Sequence, residues 1–441
     1  MAVTPTDLAA AQAEQLAARL GVSVPVICLP QPSADFYKWA VVACDQYTSQ
    51  PEYWEQTASI VGQEPSALQI TLPEIYLEHP GELCVDDRIS CVNASMRSYL
   101  DRGVLRRLPR GWVVLDRSTP LHPSRKGLVL AIDLEQYDFT PGNRKLVRAT
   151  EGTVLDRIPP RLKIRRDAPL ELPHVMLLID DPDHTVIDPL LADAASQPPL
   201  YDTDLMQNGG HIRGWFVPGQ SAAILRALQA MAALGSLADH QLLFAVGDGN
   251  HSLATAKAHW ENLRSHVSPD HPARYALAEV VNIHDAGLEF EPIHRVVFGL
   301  DADRFLAEAA VFYNDQGFAA DEIDPGKART VSDHVQTFPL FWQNRCWQIT
   351  LSQPAHQLAA GSLQALLDNL QSRSLGRVDY IHGDNIVHSL AAQGNLGLLL
   401  PALDKSAFFA TIARDGILPR KTFSMGEANE KRYYIECREI R

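Results

Sequence analysis

The chain has 441 residues, enough to bury a large core and, at ordinary domain sizes, to form two or three domains. Lys and Arg number 39 against 53 for Asp and Glu; the formal net charge of −14 argues against a general nucleic-acid or anionic-membrane surface but leaves room for a local basic pocket. Six scattered cysteines without a C-x-x-C pair, a start (Met1–Asp7) with neither basic nor apolar leader character, and apolar runs too short for a bilayer together suggest a cytoplasmic protein with free thiols.

Thr6 to Leu20 reads as an Ala-rich helix closed by Gly21. Val22 to Leu29 and Trp39 to Cys44 are strand-like, separated by a Pro-containing loop, Pro30 to Asp35. Asp45 follows the second run. It can cap the helix expected through Tyr53 and Trp54, the simpler role, or belong to the polar strand end where α/β proteins place ligands. Trp112 to Asp116 and Gly127 to Leu134 read as paired strands, and Pro173 to Asp180 as a buried one.

Between them lies the one dense basic segment, 144 to 166, with Arg144, Lys145, Arg148, Arg157, Arg161, Lys163, Arg165 and Arg166 against two carboxylates, Glu151 and Asp156. Charge runs are by default solvated helix faces. In a protein this acidic, an Arg-rich stretch is also what binding a polyphosphate requires. A small, polar, Pro-containing stretch from Asp193 to Asp204 suggests a domain boundary, and Ser221 to Leu234 an amphipathic helix.

Leu242 to Val246 is a short apolar run suited to a buried strand. Gly247-Asp248-Gly249-Asn250 breaks it, and a helix follows with Leu253, Ala256, Trp260 and Leu263 at steps of three and four. A strand, a Gly-rich turn and a helix start aim several backbone N–H groups one way, which makes an anion site. The same pattern also serves a strand-to-helix turn that binds nothing, and the spacing is neither that of the P-loop nor that of the dinucleotide fingerprint.

Tyr275 to Ile283 and Leu288 to Phe298 are strand-like, with His284-Asp-Ala-Gly287 as a hairpin turn between them. Alternation puts Glu289, Glu291 and Arg295 on one face of the second and His294 on the other. Later come a strand from Arg377 to Ile381, a helix from Asn385 to Ala392, a strand from Leu396 to Leu400, and a helix from Asp404 to Arg414 with Asp404 as cap and Gly416 as stop. Leu418 to Ser424 then gathers two cations, Arg420 and Lys421, with two hydroxyls. These elements predict an α/β (mixed α+β) fold in three regions: 1–195, 205–300 with the glycine turn, and a C-terminal βαβα region, 301–441.

His251, His259 and His266 share one side of the motif helix, but the helical rise sets the first two about 12 Å apart, too far for one ion. No H-E-x-x-H or G-x-S-x-G element occurs, so zinc and serine-hydrolase chemistry have no local signature. Magnesium needs only one or two carboxylates beside substrate phosphates, and Asp248 can supply one.

With Gly247-Asp-Gly-Asn-His-Ser252, Trp39 to Trp54, Leu146 to Thr153, Leu288 to Arg295 and Leu418 to Phe423 in the right order, the chain resembles a bacterial and archaeal family catalogued as a domain of unknown function, number one thousand and fifteen. That family's usual Asp-Gly-His-His-Arg turn is in turn similar to the phosphate-binding box of ParB-like and sulfiredoxin-like domains, some of which are free-serine kinases. Here Asn250 stands for the first His and Ser252 for the Arg, which removes a bidentate phosphate contact.

The resemblance implies a ParB/sulfiredoxin-like nucleotide-binding core and a nucleotide-dependent phosphotransferase that uses ATP or ADP with Mg2+ on a small hydroxyl compound, serine being the guess by analogy. Phosphates would sit on Gly247, Gly249, Asn250, His251 and Ser252. Arg148 with Arg157 or Arg161, or else Lys421, would neutralise charge. Asp248 would hold magnesium or orient the turn, and Glu151 is the candidate base. A nucleotide- or phosphometabolite-sensing protein without catalysis, and a phosphatase on a phosphorylated amino acid, are the alternatives. In each case the expected partner is a small phosphate-containing molecule, not a nucleic acid or a membrane.

Overall fold

The computed structural model describes residues 5–78, 83–237, 242–332, 334–419 and 421–441. Met1 to Thr4 and Arg420 lie outside them. The chain begins with α1 (Pro5–Arg19), β1 (Val22–Ser23), β2 (Val26–Pro30), α2 (Phe36–Trp39), β3 (Val41–Val42), α3 (Pro51–Val61), α4 (Ile75–Glu78) and α5 (Val85–Asp101). There follow β4 (Leu105–Ser118), β5 (Arg125–Asp133), β6 (Tyr137–Asp138), β7 (Val147–Ala149), α6 (Ile158–Arg166), β8 (Leu170–Glu171), β9 (Val175–Ile179) and α7 (Ile187–Ala194). Next are β10 (Tyr201–Leu205), β11 (Gly210–Pro218), α8 (Ala222–Leu237), β12 (Phe244–Asp248), α9 (Asn250–Leu263) and β13 (Tyr275–Asn282). Then β14 (Phe290–Phe298), α10 (Ala302–Phe312), β15 (Phe318–Ile323), β16 (Val331–Ser332), β17 (Gln336–Trp342), β18 (Arg345–Leu351) and α11 (Ala359–Ser372). The chain ends with β19 (Arg377–His382), α12 (Asp384–Ala392), β20 (Leu396–Leu398), α13 (Lys405–Asp415), β21 (Phe423–Met425), β22 (Tyr433–Tyr434) and β23 (Arg438–Glu439). It is a mixed α/β protein.

The chain divides into two compact units, Met1–Leu288 with Gly426–Arg441, and Glu289–Met425. The three regions expected from sequence divide it elsewhere: the polar stretch before β10 lies within the first unit, because β10 is an edge strand of that unit's main sheet.

That sheet runs β10-β11-β4-β5-β13-β9-β12-β7-β6, with β1 on β5 and β2 on β4. It is mixed: β12 is parallel to β7 and antiparallel to β9, while β13 is parallel to β9 and antiparallel to β5. Both faces are buried, which is why β4 carries the unbroken run Trp112-Val-Val-Leu115. Alternation sends Trp112 and Val114 to one core, with Leu253, Trp260 and Ile224, and Val113 and Leu115 to the other, with Trp39, Trp54 and Met96.

The last residues close this unit. β22 pairs with β3, and β23 with β8. Arg432, 4% exposed, forms ion pairs with Glu279 and Glu436, and Arg438 with Glu171.

β13 and β14 do not form the expected hairpin. β13 already has β5 and β9 as neighbours, and β14 belongs to the sheet of the other unit. The Asp285 carboxylate accepts from Gly287 N (2.7 Å) and Lys126 N (3.1 Å), tying the turn back to the start of β5.

The second unit has an antiparallel sheet, β15-β18-β17-β20-β14-β19, with β16 on β17 and β21 on β14. Phe305 of α10 and Leu363 and Leu367 of α11 pack with Phe338, Ile349 and Leu398. Glu289 and Glu291 are exposed on either side of buried Phe290, as alternation predicts, whereas further along β14 both His294 and Arg295 are buried. No helix among the described residues is long and apolar enough to cross a membrane.

Candidate functional site

β12 buries Phe244, Ala245 and Val246 completely and extends through Gly247 to Asp248. Gly249 then caps α9 at φ +81° and offers no side chain to the helix. A Cβ there would lie 3.0 Å from Val175 Cα and 3.1 Å from His174 Cδ2, so glycine is required by conformation and by space. Asp248 Oδ1 accepts from Gly249 N at 2.8 Å, and Oδ2 lies 3.3 Å from Lys431 Nζ. Without a side-chain cap, the first N–H groups of α9 are left for another acceptor.

The neighbouring strand brings a second wall. β7 runs parallel to β12 with Ala149 opposite Val246. Thr150 Oγ1 donates to the Val246 carbonyl at 2.6 Å, and Val154 N donates to His251 Nε2 at 3.1 Å. The segment 150–154, with Glu151, is thereby held along the start of α9. Because His251 Nε2 accepts, the proton of the neutral ring sits on Nδ1. Two buried oxygens here, Asn250 Oδ1 and Thr153 Oγ1, have no hydrogen-bond partner among the described residues. Rotation of the Asn250 amide would present N–H at the same position, and a threonine hydroxyl also donates.

The basic segment is largely committed to the protein itself. Arg161 pairs with Glu74, Lys163 with Asp86, Arg165 with Glu171, and Arg166 with Asp167. Arg148 is buried, donates from Nε to the Lys145 carbonyl (2.9 Å), and has its pKa lowered by that burial. Arg157 is exposed just before α6. Lys421 belongs to the second unit, where Nζ lies 4.8 Å from the centroid of the Tyr380 ring. The cation beside Asp248 is Lys431, which nothing in the local sequence singles out.

Asp45 is not a helix cap. Gln50 occupies that position of α3, and Asp45 Oδ2 lies 3.1 Å from His174 Nε2. His174 Nδ1 is 2.6 Å from Tyr434 Oη, which also accepts from Cys44 N at 3.2 Å. Burial opposes charge on His174, but Asp45 and Tyr434 raise its pKa well above the usual histidine value. Burial likewise opposes charge on Asp45, and His174 overrides it to hold the carboxyl well below its usual range. This ion pair backs the turn, since His174 is the residue a Gly249 side chain would meet. The signal available in sequence was Asp45 at the end of an apolar run; its partner lies far along the chain. Among the described residues no group of three His, Cys, Asp or Glu side chains is arranged to hold a metal ion.

Fold and site together define a mixed α/β protein in which an interior strand of the main sheet delivers a glycine turn to an uncapped helix. The chain belongs to the family described as "Protein of unknown function (DUF1015)", whose model matches residues 25–371. No curated protein matches it. Solved structures similar to it include a free serine kinase in complex with AMP, at 10% identity and TM-score 0.38, covering 70% of this chain and 90% of that one. A conserved hypothetical protein from Pyrococcus furiosus is similar at 10% identity and TM-score 0.35, covering 68% and 90%. SbnI with C-terminal truncation, from Staphylococcus aureus, is similar at 10% identity and TM-score 0.34, covering 68% and 82%.

Proposed function

We propose that the chain is a nucleotide-dependent phosphotransferase acting on a small hydroxyl compound, with serine the first acceptor to test. The observation that carries this reading is the uncapped start of α9 behind Gly249, flanked by Lys431 and by the orphaned oxygens of Asn250 and Thr153. Backbone N–H groups of Asn250 and His251 would take the phosphate oxygens beside Gly249, whose own N–H is held by Asp248 Oδ1, with Lys431 as the cation and His251 Nδ1 as a further donor. Gly247 and Ser252 flank these groups. Arg148 and Arg157 are second-line sources of charge, Arg161 is committed to Glu74, and Lys421 belongs to the second unit.

Both oxygens of Asp248 are engaged, by Gly249 N and by Lys431, which supports orienting the turn over holding a metal. Magnesium would accompany ATP or ADP and supply charge neutralisation on the phosphates. Glu151 is the candidate base. It would take the hydroxyl proton as the acceptor oxygen bonds to the terminal phosphorus and the bond to the nucleotide's bridging oxygen breaks.

The test is turnover of ATP or ADP by purified protein against a panel of hydroxyl compounds that includes serine, with Asp248→Ala, His251→Ala and Lys431→Met alongside. The expected result is a phosphorylated product that each substitution diminishes. No turnover, or turnover indifferent to all three, overturns the reading. A ligand-induced thermal shift without product would make the protein a nucleotide or phosphometabolite sensor, and phosphate release without nucleotide a phosphatase.

A further inference from the structure

Within the first unit, β2 meets the terminal segment at a pair of cysteines. Cys28 N donates to the Cys437 carbonyl at 2.7 Å, and Cys437 N donates to the Cys28 carbonyl at 2.9 Å. The two residues are therefore a directly opposed, hydrogen-bonded antiparallel pair. Such pairs set their α-carbons about 5.5 Å apart, with both side chains on one face, inside the range a disulfide spans.

Both side chains are fully buried in the same core, and both thiols are free. A hydrogen bond joins the two thiols. It holds the Cys28 pKa below the ordinary thiol value despite burial and pushes that of Cys437 well above it. Cys28 Sγ also lies 4.0 Å from Glu439 Oε1, on a carboxylate that pairs with Arg107. The remaining cysteines are placed differently. Cys84 precedes α5 and Cys91 lies two turns along it, about 10 Å away by the helical rise and too far to bridge. Cys44 faces His174, with Sγ 3.9 Å from Nδ1, and Cys346 lies in the second unit.

A bond between Cys28 and Cys437 would join positions 409 residues apart. Closing so long a loop takes much of its freedom from the unfolded chain. In the folded chain the terminal segment is held by two short strands and by the ion pairs of Arg432 and Arg438. Hydrogen-bonded pairs keep their β-carbons about 5.5 Å apart, wider than the roughly 3.8 Å of a relaxed disulfide. A bond made there carries strain, and strained disulfides are the readily reduced ones.

We propose that Cys28 and Cys437 form a reversible disulfide, a thiol latch that fixes the terminal segment onto β2 under oxidising conditions. The oxidant is a low-molecular-weight disulfide, admitted when the terminal segment lifts. The Cys28 thiolate attacks one of its sulfurs, forming a mixed disulfide and releasing one small thiolate. The Cys437 sulfur then attacks Cys28, forming the protein disulfide and releasing the second. The protein gives up two electrons, the oxidant takes them, and the two thiol protons end on the two released small thiols. This chemistry does not depend on the phosphotransfer reading, so either can fail without the other.

The test incubates the folded full chain in oxidised and reduced glutathione at a series of ratios, followed by alkylation and peptide mapping by mass spectrometry. The expected product is a cross-link between the peptides of Cys28 and Cys437, about 2 Da lighter than the reduced pair and reversed by excess reduced glutathione. The oxidised chain should melt about 5 °C higher. In Cys437→Ala the same treatment should leave melting unchanged; an equal rise there would assign the effect to other thiols and overturn the proposal. The mapping itself needs no variant. Retention of both thiols at every ratio overturns the proposal, as does a cross-link that forms only after unfolding in urea. Preferred linkage of either residue to another cysteine, or a Cys28–Cys437 bond that leaves melting unchanged, overturns it equally.

Discussion

Two helices in this molecule start differently. α13 is closed by its own chain: the Asp404 carboxylate accepts from Ser406 N at 2.9 Å and from Ser406 Oγ at 2.7 Å. α9 starts from Gly249, which has a left-handed backbone and no side chain to offer. A capped start has spent its first donors on itself and is architecture. An uncapped start, set between a lysine and two orphaned oxygens, has made no such bond with a side chain of its own. Glycine richness alone does not separate these cases; what matters is whether a neighbouring side chain folds back.

The contrast can be broken from behind, at the ion pair supporting α9. His174→Ala leaves the Asp45 carboxylate without its partner and should cost about 3 kcal/mol in urea unfolding. It should also alter the pH profile. His174 has a raised folded pKa, so its contribution is complete below the ordinary histidine range and is lost as pH rises through the folded value. Asp45, with a lowered folded pKa, contributes above the ordinary carboxylate range and loses that contribution as pH falls through its folded value. Unfolding measured at a series of pH values should therefore show stability declining above the histidine range in the native protein and not in His174→Ala. An unchanged alkaline slope would refute the assignment.

Gly249→Val adds a side chain at φ +81° where a Cβ already lies 3.0 Å from Val175 Cα. We expect a cost of about 2 kcal/mol and loss of any nucleotide-induced thermal shift. Lys431→Met separates binding from folding: nucleotide affinity should fall about tenfold, with unfolding changed by less than about 1 kcal/mol. At the other helix start, Asp404→Ala should cost about 1 kcal/mol and leave nucleotide binding alone. If Asp404→Ala weakened nucleotide binding as much as Lys431→Met did, the two helix starts would not differ in role.

What the residues announce locally, the structure contains. The start and stop of α13, the strand, turn and helix around Gly249, and the pairing of β4 with β5 all depend on neighbours in sequence or on simple alternation. What they do not announce depends on partners far away. Nothing near Arg161, Lys163 or Arg165 names Glu74, Asp86 or Glu171, so a segment that reads as a basic patch is in fact mostly neutralised. Asp45 reads as a cap because capping is a local habit, while His174 is hidden in an apparently apolar strand region. The stretch from Tyr275 to Phe298 reads as a hairpin because turn residues look alike whether they join paired strands or carry the chain from one unit to another.

The return of Gly426–Arg441 to the first unit has a consequence for biosynthesis. The strands that pair with β3 and β8, and the guanidinium that neutralises Glu279, are synthesised after the whole of the second unit. The second unit, continuous in sequence, can complete its sheet first, although the unit holding the glycine turn begins earlier. A stop codon just after Met425 would spare every strand of the second unit. It would strip the first of Lys431 and of the guanidinium that pairs with buried Glu279, so loss of this short stretch would unsettle the surroundings of a glycine turn encoded far upstream.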